Sequence, residues 1–309
     1  MTDDGKSRTP DTKPFRSGEV AVVGRPNAGK STLVNRLVGE KVAIVSDKPQ
    51  TTRKRILGIA RRPGAEVALV DTPGMHRPQY KMNAVMVRET TEALATADLV
   101  LCVVDASEPP GEGEKYLLDL VARTGTPAIL ALNKIDRIRK EKVLPRIQEL
   151  SERLSFRDIV PISARTGENV DRLFDVLVAA LPEGEPGYPD DFLTATPERE
   201  WIAEVLREKL LERTRDELPF AHAVLVESVR PAEGKDLTVV TASIVVEREG
   251  QKKIVVGKGG SMIRDIGTAA RRELEEELGR RLFLELTVRV KPDWRNDEGF
   301  LSRLGAPPE

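Results

Sequence analysis

Apolar residues fall along the chain in two alternating patterns. The runs at 20–23, 67–71, 99–105, 128–132 and 159–162 are short and almost continuously apolar, as strands buried on both faces are. Between them, 31–38, 81–97, 112–123, 140–155 and 169–181 repeat apolar positions at helical spacing. One further run, 56–61, is separated from 67–71 by Pro63-Gly64, a turn signal that predicts a hairpin. Buried strands alternating with helices predict an α/β domain over 18–182, a mostly parallel sheet with helices on both faces. Residues 41–55, polar and basic past a short apolar start, have no sustained period and read as a mobile loop.

A Pro/Gly-rich acidic stretch then breaks the pattern, and 183–196 reads as a linker. A second, α+β unit is expected over 197–291. Its first helix, to about 214, starts at a capping Thr196 hydroxyl with Pro197 in the first turn. Strands at 221–229 and 237–248 flank the turn Glu233-Gly234-Lys235-Asp236. A helix at 261–278, stopped by Gly279, and a strand at 282–290 complete it. Residues 1–17, polar with Pro10 and Pro14, read as a disordered lead-in, and 292–309 as a C-terminal tail.

Composition adds little beyond exclusions. Lys plus Arg (49) balances Asp plus Glu (50), so any affinity for nucleic acid must be local. No apolar run approaches the ~20 residues of a membrane span. The single cysteine, Cys102, lies inside an apolar run and reads as core filler. With no intrachain disulfide to form, a reducing cytoplasm is the expected location.

The chemistry begins where the first apolar run ends. Gly24-Arg25-Pro26-Asn27-Ala28-Gly29-Lys30-Ser31 fits the P-loop spacing, and Thr32 continues into the helix behind it. A buried strand, a Gly-rich turn and a helix N-terminus aim backbone N–H groups at one point, where phosphates bind. Lys30 can reach the β- and γ-phosphates and the Ser31 hydroxyl can hold Mg²⁺. The plain alternative is a Gly-rich turn without a ligand, and the flanking strand and helix argue against it.

The run at 67–71 ends in Asp71-Thr72-Pro73-Gly74. A carboxylate there, beside the P-loop strand, is where a Mg²⁺-associated Asp belongs, and the Gly74 N–H can approach a γ-phosphate because no Cβ intervenes. The run at 128–132 ends in Asn133-Lys134-Ile135-Asp136. The Asp136 carboxylate can accept two parallel hydrogen bonds from guanine N1–H and its exocyclic amine, whereas adenine would leave it unpaired. The Lys134 stem can lie over the base, and Asn133 can tie this loop to the P-loop. Behind the last strand come Ser163-Ala164, small residues whose backbone lets the Ala164 N–H approach a base oxygen.

These five stretches, in this order, resemble a translation-factor-class GTPase domain of the Ras-like P-loop fold. The resemblance implies GTP and GDP as ligands. It also implies that Thr52 is the switch threonine completing a Mg²⁺ shell with Ser31 and Asp71, with Thr51 as its competitor. Met75 stands where Ras-type enzymes carry a water-positioning Gln, which implies slow intrinsic hydrolysis. His76 beside it reads as a switch-loop residue rather than a base. In relatives with Pro-Asn-Ala-Gly-Lys-Ser, an Asn at the place of Asn27 helps hold K⁺ near the phosphates; alternatively Asn27 only serves a tight turn. The residues expected to act at the γ-phosphate are thus Lys30, Thr52, Gly74 and Asn27.

In the second unit, Gly257-Lys258-Gly259-Gly260 follows Ile254-Val255-Val256 and precedes a helix. A Gly-x-x-Gly loop in that setting presses its backbone against nucleotide phosphates, with bases in an apolar groove that Ile254 would border. Lys252, Lys253, Lys258 and Arg264 supply charge, and 251–291 holds ten Lys/Arg against six Asp/Glu. The alternative is an incidental glycine turn. If the Ile-Val-Val lead is a short helix, the element order resembles a type II KH domain.

A Ras-like GTPase domain followed by a type II KH domain resembles the bacterial Era GTPases. The matching stretches are 24–31, Lys-Pro-Gln-Thr-Thr-Arg at 48–53, 71–74, 133–136, Ile-Val-Val-Gly-Lys-Gly-Gly at 254–260 and Val-Lys-Pro-x-Trp at 290–294. The resemblance implies a GTP-hydrolysing switch that binds the 3′ end of 16S rRNA and assists assembly of the 30S subunit. It further implies a monomer with peripheral contact to the inner face of the membrane in some members, a link the residues do not show independently. The rival expectation is a GTPase whose second domain docks on protein or membrane. A static RNA-binding module is opposed by the intact Lys30, Ser31, Asp71 and Asp136.

Overall fold

The computed structural model describes residues 14–74, 80–216 and 218–304. The first domain is a six-stranded sheet in the order β2-β3-β1-β4-β5-β6. Its strands are β1 (Arg16–Gly24), β2 (Ile56–Arg62), β3 (Ala65–Asp71), β4 (Leu99–Asp105), β5 (Ala128–Asn133) and β6 (Asp158–Pro161). Only β2 runs antiparallel, paired to β3 across the Pro63-Gly64 turn.

Side-chain alternation along β1 feeds two separate cores. Val20 and Val22 pack with Leu33, Val34, Leu173 and Phe174 of α1 (Lys30–Val38) and α5 (Val170–Ala180). Ala21 and Val23 face the other side, with Leu94, Leu117, Val121 and Leu150 of α2 (Lys81–Thr96), α3 (Glu112–Thr124) and α4 (Val143–Ser151). Both faces of the sheet are therefore covered, as the continuous apolar runs required.

The second domain is a three-stranded sheet of β7 (His222–Pro231), β8 (Thr238–Val246) and β9 (Leu282–Val290). β8 lies between an antiparallel β7 and a parallel β9. One sheet face is covered by α6 (Glu198–Arg213), α7 (Glu249–Val256) and α8 (Ser261–Leu278), through Leu206, Leu210, Val240, Ile244, Ile266 and Leu274. The Ile-Val-Val lead is thus the end of a helix, which gives the type II KH order.

Several boundaries differ from expectation for identifiable reasons. The lead-in ends earlier than Ser17, because Arg16 already pairs with Ala65 in the sheet. The helix expected over 140–155 is a single 3₁₀ turn (Lys140–Lys142) followed by α4, with Pro145 in the first turn, where no intrahelical N–H is needed. The Thr196 hydroxyl lies 3.1 Å from that of Thr194 and does not cap α6. The linker is strapped to the first domain: the Arg61 guanidinium donates to the Pro189 and Phe192 carbonyls at 2.8 Å, and Gly187 N donates to Glu66 at 2.7 Å.

The stretch expected as a tail is part of the core as far as Leu304. Trp294 is fully buried and shares an apolar cluster with Ala223, Leu225, Val245, Phe300 and Leu301. Phe300 and Leu301 belong to α9 (Glu298–Arg303), which Asp297 caps by accepting from Phe300 N at 2.8 Å. Met82 of α2 completes the cluster from the first domain.

Candidate nucleotide site and its ties to the second domain

The C-terminal ends of β1, β3, β4 and β5 open on a cleft of 590 Å³. Arg25, Pro26, Asn27, Ala28, Gly29, Lys30, Ser31 and Thr32 line one side of it. The turn is built where glycine is needed. A Cβ at Gly24 would sit 2.5 Å from the Val103 carbonyl oxygen, and one at Gly29, whose φ is +94°, would sit 2.3 Å from Asn133 Nδ2. Asn27 takes a φ of +62°, and its Nδ2 donates to the Asp47 carbonyl at 2.7 Å, reaching into the 41–55 loop. Lys30 Nζ donates to the Gly24 and Arg25 carbonyls at 3.4 and 3.3 Å. Burial lowers its pKa, against the opposing charge of Asp71.

Three oxygens converge below the loop. Ser31 Oγ donates to Asp71 Oδ2 at 2.6 Å and lies 3.0 Å from Thr52 Oγ1, which is 3.4 Å from the same carboxylate oxygen. The other oxygen, Asp71 Oδ1, is buried without a hydrogen-bond partner. Burial raises the Asp71 pKa, while Lys30, Ser31 and Thr52 oppose the rise. Two hydroxyls and a carboxylate with an unsatisfied oxygen suit a hard cation such as Mg²⁺. Thr51 is directed elsewhere, its hydroxyl donating to the Lys48 carbonyl at 2.7 Å.

Gly74 backs onto the P-loop, where a Cβ would lie 2.7 Å from the Pro26 backbone. Thr72 and Pro73 serve the frame: the Thr72 hydroxyl donates to the Val22 carbonyl at 2.8 Å, and the Pro73 carbonyl accepts from Thr90 at 3.3 Å. Met75 and His76 lie outside the described residues.

On the base side, Asn133 is almost fully buried and joins two loops. Its Nδ2 donates to the Ala28 carbonyl at 2.8 Å and its Oδ1 accepts from Ala164 N at 2.9 Å. The Ala164 N–H, expected to face a base oxygen, is therefore engaged with Asn133 here. Lys134 reaches the Asn27 carbonyl and Asp105 Oδ2, each at 2.6 Å. Asp136 accepts from Ser163 Oγ at 2.7 Å and from the Arg165 guanidinium at 2.8 Å, and the Ser163 bond is the main cause of its lowered pKa. Asp47, Asp105 and Arg165 were not legible as site residues; only the position of Arg165 next to Ala164 hinted at it.

The glycine loop of the second domain joins α7 to α8. Gly257, Gly259 and Gly260 have φ of +74°, +60° and +79°. A Cβ at Gly257 would meet Met262 at 2.7 Å, whereas one at Gly259 or Gly260 would meet nothing within 4 Å. The loop thus presents open backbone. Lys253, Ile254, Lys258 and Arg264 are exposed around it and Lys252 partly so, while Val255 and Ile266 anchor the two helices in the core. Among the described residues, no helix is long and apolar enough to cross a membrane.

Both domains meet at the 41–55 loop. Glu208 of α6 accepts from Lys41 Nζ at 2.6 Å and Val45 N at 2.8 Å, and Arg207 Nη2 donates to the Thr51 carbonyl. Arg53 donates to the His222 carbonyl at 2.8 Å, and Lys54 pairs with Glu200 at 2.8 Å. The start of α2 is held too: the Arg295 guanidinium stacks 3.8 Å over the Tyr80 ring, and Lys81 pairs with Glu298.

Comparisons with known proteins agree with this architecture. Residues 19–134 match the 50S ribosome-binding GTPase family and residues 221–295 match the KH domain. GTPase Era of Geobacter metallireducens is 49% identical over 292 residues, covering 94% of this chain and 98% of the relative. GTPase Era of Heliobacterium modesticaldum is 44% identical, covering 94% and 97%. Among solved structures, Era in complex with MgGDPNP and nucleotides 1506–1542 of 16S ribosomal RNA superposes with a TM-score of 0.92 at 39% identity, covering 94% of this chain and 99% of that one. An Aquifex aeolicus Era variant bound to GDP·AlF₄⁻ gives 0.91 at 39% identity, with the same coverage. A P-loop cleft with a guanine-type specificity loop, joined to a KH domain and matched along its length, makes this chain a member of the Era family of GTPases.

Proposed function

We propose that this GTPase is a nucleotide-gated reader of the 3′ region of 16S rRNA that assists assembly of the 30S subunit in the cytoplasm, acting as a monomer. The observation that carries the RNA reading is the loop at Gly257, Lys258, Gly259 and Gly260. Its outer side is open backbone ringed by cations, the surface a sugar-phosphate chain needs. A solved relative with this two-domain architecture carries nucleotides 1506–1542 of that RNA.

Ser31, Thr52 and Asp71 would hold Mg²⁺, which, when bound, neutralises charge on the β- and γ-phosphates. Lys30 neutralises the same phosphates from the P-loop. Asp136 reads the guanine N1–H and amine, held ready by Ser163 and Arg165. Asn27 Oδ1 would share K⁺ with the Asp47 carbonyl, which the Nδ2 of the same amide already reaches. Gating follows from the loop at 41–55, which touches the metal residues at one point and α6 at others.

Titration of the intact chain with an RNA matching nucleotides 1506–1542, at two salt concentrations, tests the RNA reading. Salt-sensitive binding that Gly259→Asp removes is expected, because a carboxylate placed at the open backbone repels phosphate. Binding that Gly259→Asp leaves intact would move the second domain's role to a protein or membrane partner.

A further inference from the structure

We propose that Arg207, a residue of the RNA-binding domain, positions the switch threonine Thr52 for GTP hydrolysis. This rests on the reading of Thr52 as a metal-shell residue and adds a second-domain residue to it.

The peptide between residues 51 and 52 is planar, so whatever holds the Thr51 carbonyl also fixes the Thr52 N–H and the position of the Thr52 Cα, from which its side chain reaches the metal residues. Arg207 Nη2 donates to that carbonyl. Arg207 is itself fixed, because Glu204, one turn earlier on α6, accepts from its Nε at 3.0 Å and from Nη2. The Thr51 hydroxyl closes the 48–51 turn on the near side. Thr52 Oγ1 is then left 3.0 Å from Ser31 Oγ. A chain of contacts thus runs from α6 through one peptide plane to the metal residues.

The arrangement is poor as a purely structural one. Arg207 is 2% exposed, yet its Nη1 has no hydrogen-bond partner, and a buried unsatisfied donor is costly. Burial and then the like charge of Arg207 lower the Arg53 pKa to about 9, so two guanidiniums repel within one interface. Apolar residues would glue these surfaces more cheaply. What an apolar residue could not supply is a directed donor on the Thr51 carbonyl. By reciprocity, RNA that shifts α6 shifts Thr52, and the GTP-bound loop shifts α6.

Single-turnover and steady-state hydrolysis by the intact chain test the proposal, with Arg207→Ala, Arg207→Lys, Glu204→Gln and Thr52→Ala alongside GDP binding. Arg207→Ala is expected to lower kcat about ten- to a hundred-fold, the loss of one charged hydrogen bond, with KM and GDP affinity within about three-fold of wild type. Arg207→Lys, which keeps one donor, should fall between. If Arg207→Ala does not fold, Glu204→Gln, which only loosens the guanidinium, is read instead, and a lowered kcat is expected there. A wild-type kcat in the readable variant, or a kcat and GDP affinity that fall together, overturns the proposal. A Thr52→Ala variant with unchanged kcat overturns the metal-shell reading itself, so the two failures are distinguishable.

Discussion

Ser31 Oγ donates to Asp71 Oδ2 at 2.6 Å, joining the first turn of α1 to the end of β3 across forty residues of sequence. Thr52 closes the cluster, and Thr51 does not. Replacing Thr52 by Ala should therefore lower single-turnover GTP hydrolysis by about ten-fold or more, from the loss of roughly 1.5–3 kcal/mol of charge-assisted bonding in the GTP state. GDP affinity should barely change. Thr51→Ala breaks only the 48–51 turn, and a smaller loss, within about three-fold, is expected. Equal effects of the two substitutions would contradict the assignment.

Base selection rests on one carboxylate. Asp136→Asn offers guanine an amide, which can accept one bond but opposes the other with a donor, while suiting the extra carbonyl of xanthine. Competition binding should show GDP affinity falling by about two orders of magnitude or more and XDP affinity rising. Undiminished preference for GDP in the variant would remove Asp136 from the base-reading role.

The contact between Asn27 Nδ2 and the Asp47 carbonyl sets up the monovalent-ion prediction. Turnover in K⁺ should exceed that in Na⁺ by about ten-fold, one step of roughly 1.4 kcal/mol. Asn27→Ala should erase that difference. Equal turnover of the wild type in the two salts would dismiss the site and leave Asn27 as a turn residue.

Much of this was readable in the sequence because the signals are local. The strands at 99–105 and 282–290 and the helix at 261–278 end where apolar runs and Gly279 end, and the structure agrees to the residue. The P-loop, Asp71 and Asp136 announced themselves by position at strand ends. Three things were not readable. The choice between Thr51 and Thr52 depends on hydroxyl directions set by Lys48 on one side and Ser31 on the other. Trp294 looked like tail because its partners Met82, Ala223 and Val245 come from three distant elements. Arg207 looked like one more charge on a helix, and its partner lies 156 residues away.

The interface also has a predictable pH response. Lys41 and Lys209 pair with Glu208 and Glu273 between the 41–55 loop, α6 and α8. Burial alone would raise the Glu273 pKa, but its bonds from Lys209 and Lys41 win, and it lies below its ordinary 4.5. A depressed carboxyl stabilises the fold above its ordinary value and loses that contribution as pH falls through the folded value. Thermal stability should therefore drop as pH goes below about 4.5, and Glu273→Gln should flatten that acid limb while lowering Tm at pH 7. An unchanged acid limb in Glu273→Gln would show that the network contributes nothing.

The nucleotide in the first domain is expected to govern RNA binding by the second. The most direct measurement is the affinity of the intact chain for an RNA matching nucleotides 1506–1542, with GDP and then with a non-hydrolysable GTP analogue at fixed salt. Binding should be tighter with the analogue by about five-fold or more, the scale of a ~1–3 kcal/mol coupling. Thr52→Ala should shrink that ratio toward one. Equal RNA affinity in the two nucleotide states, with both nucleotides bound, would contradict nucleotide gating.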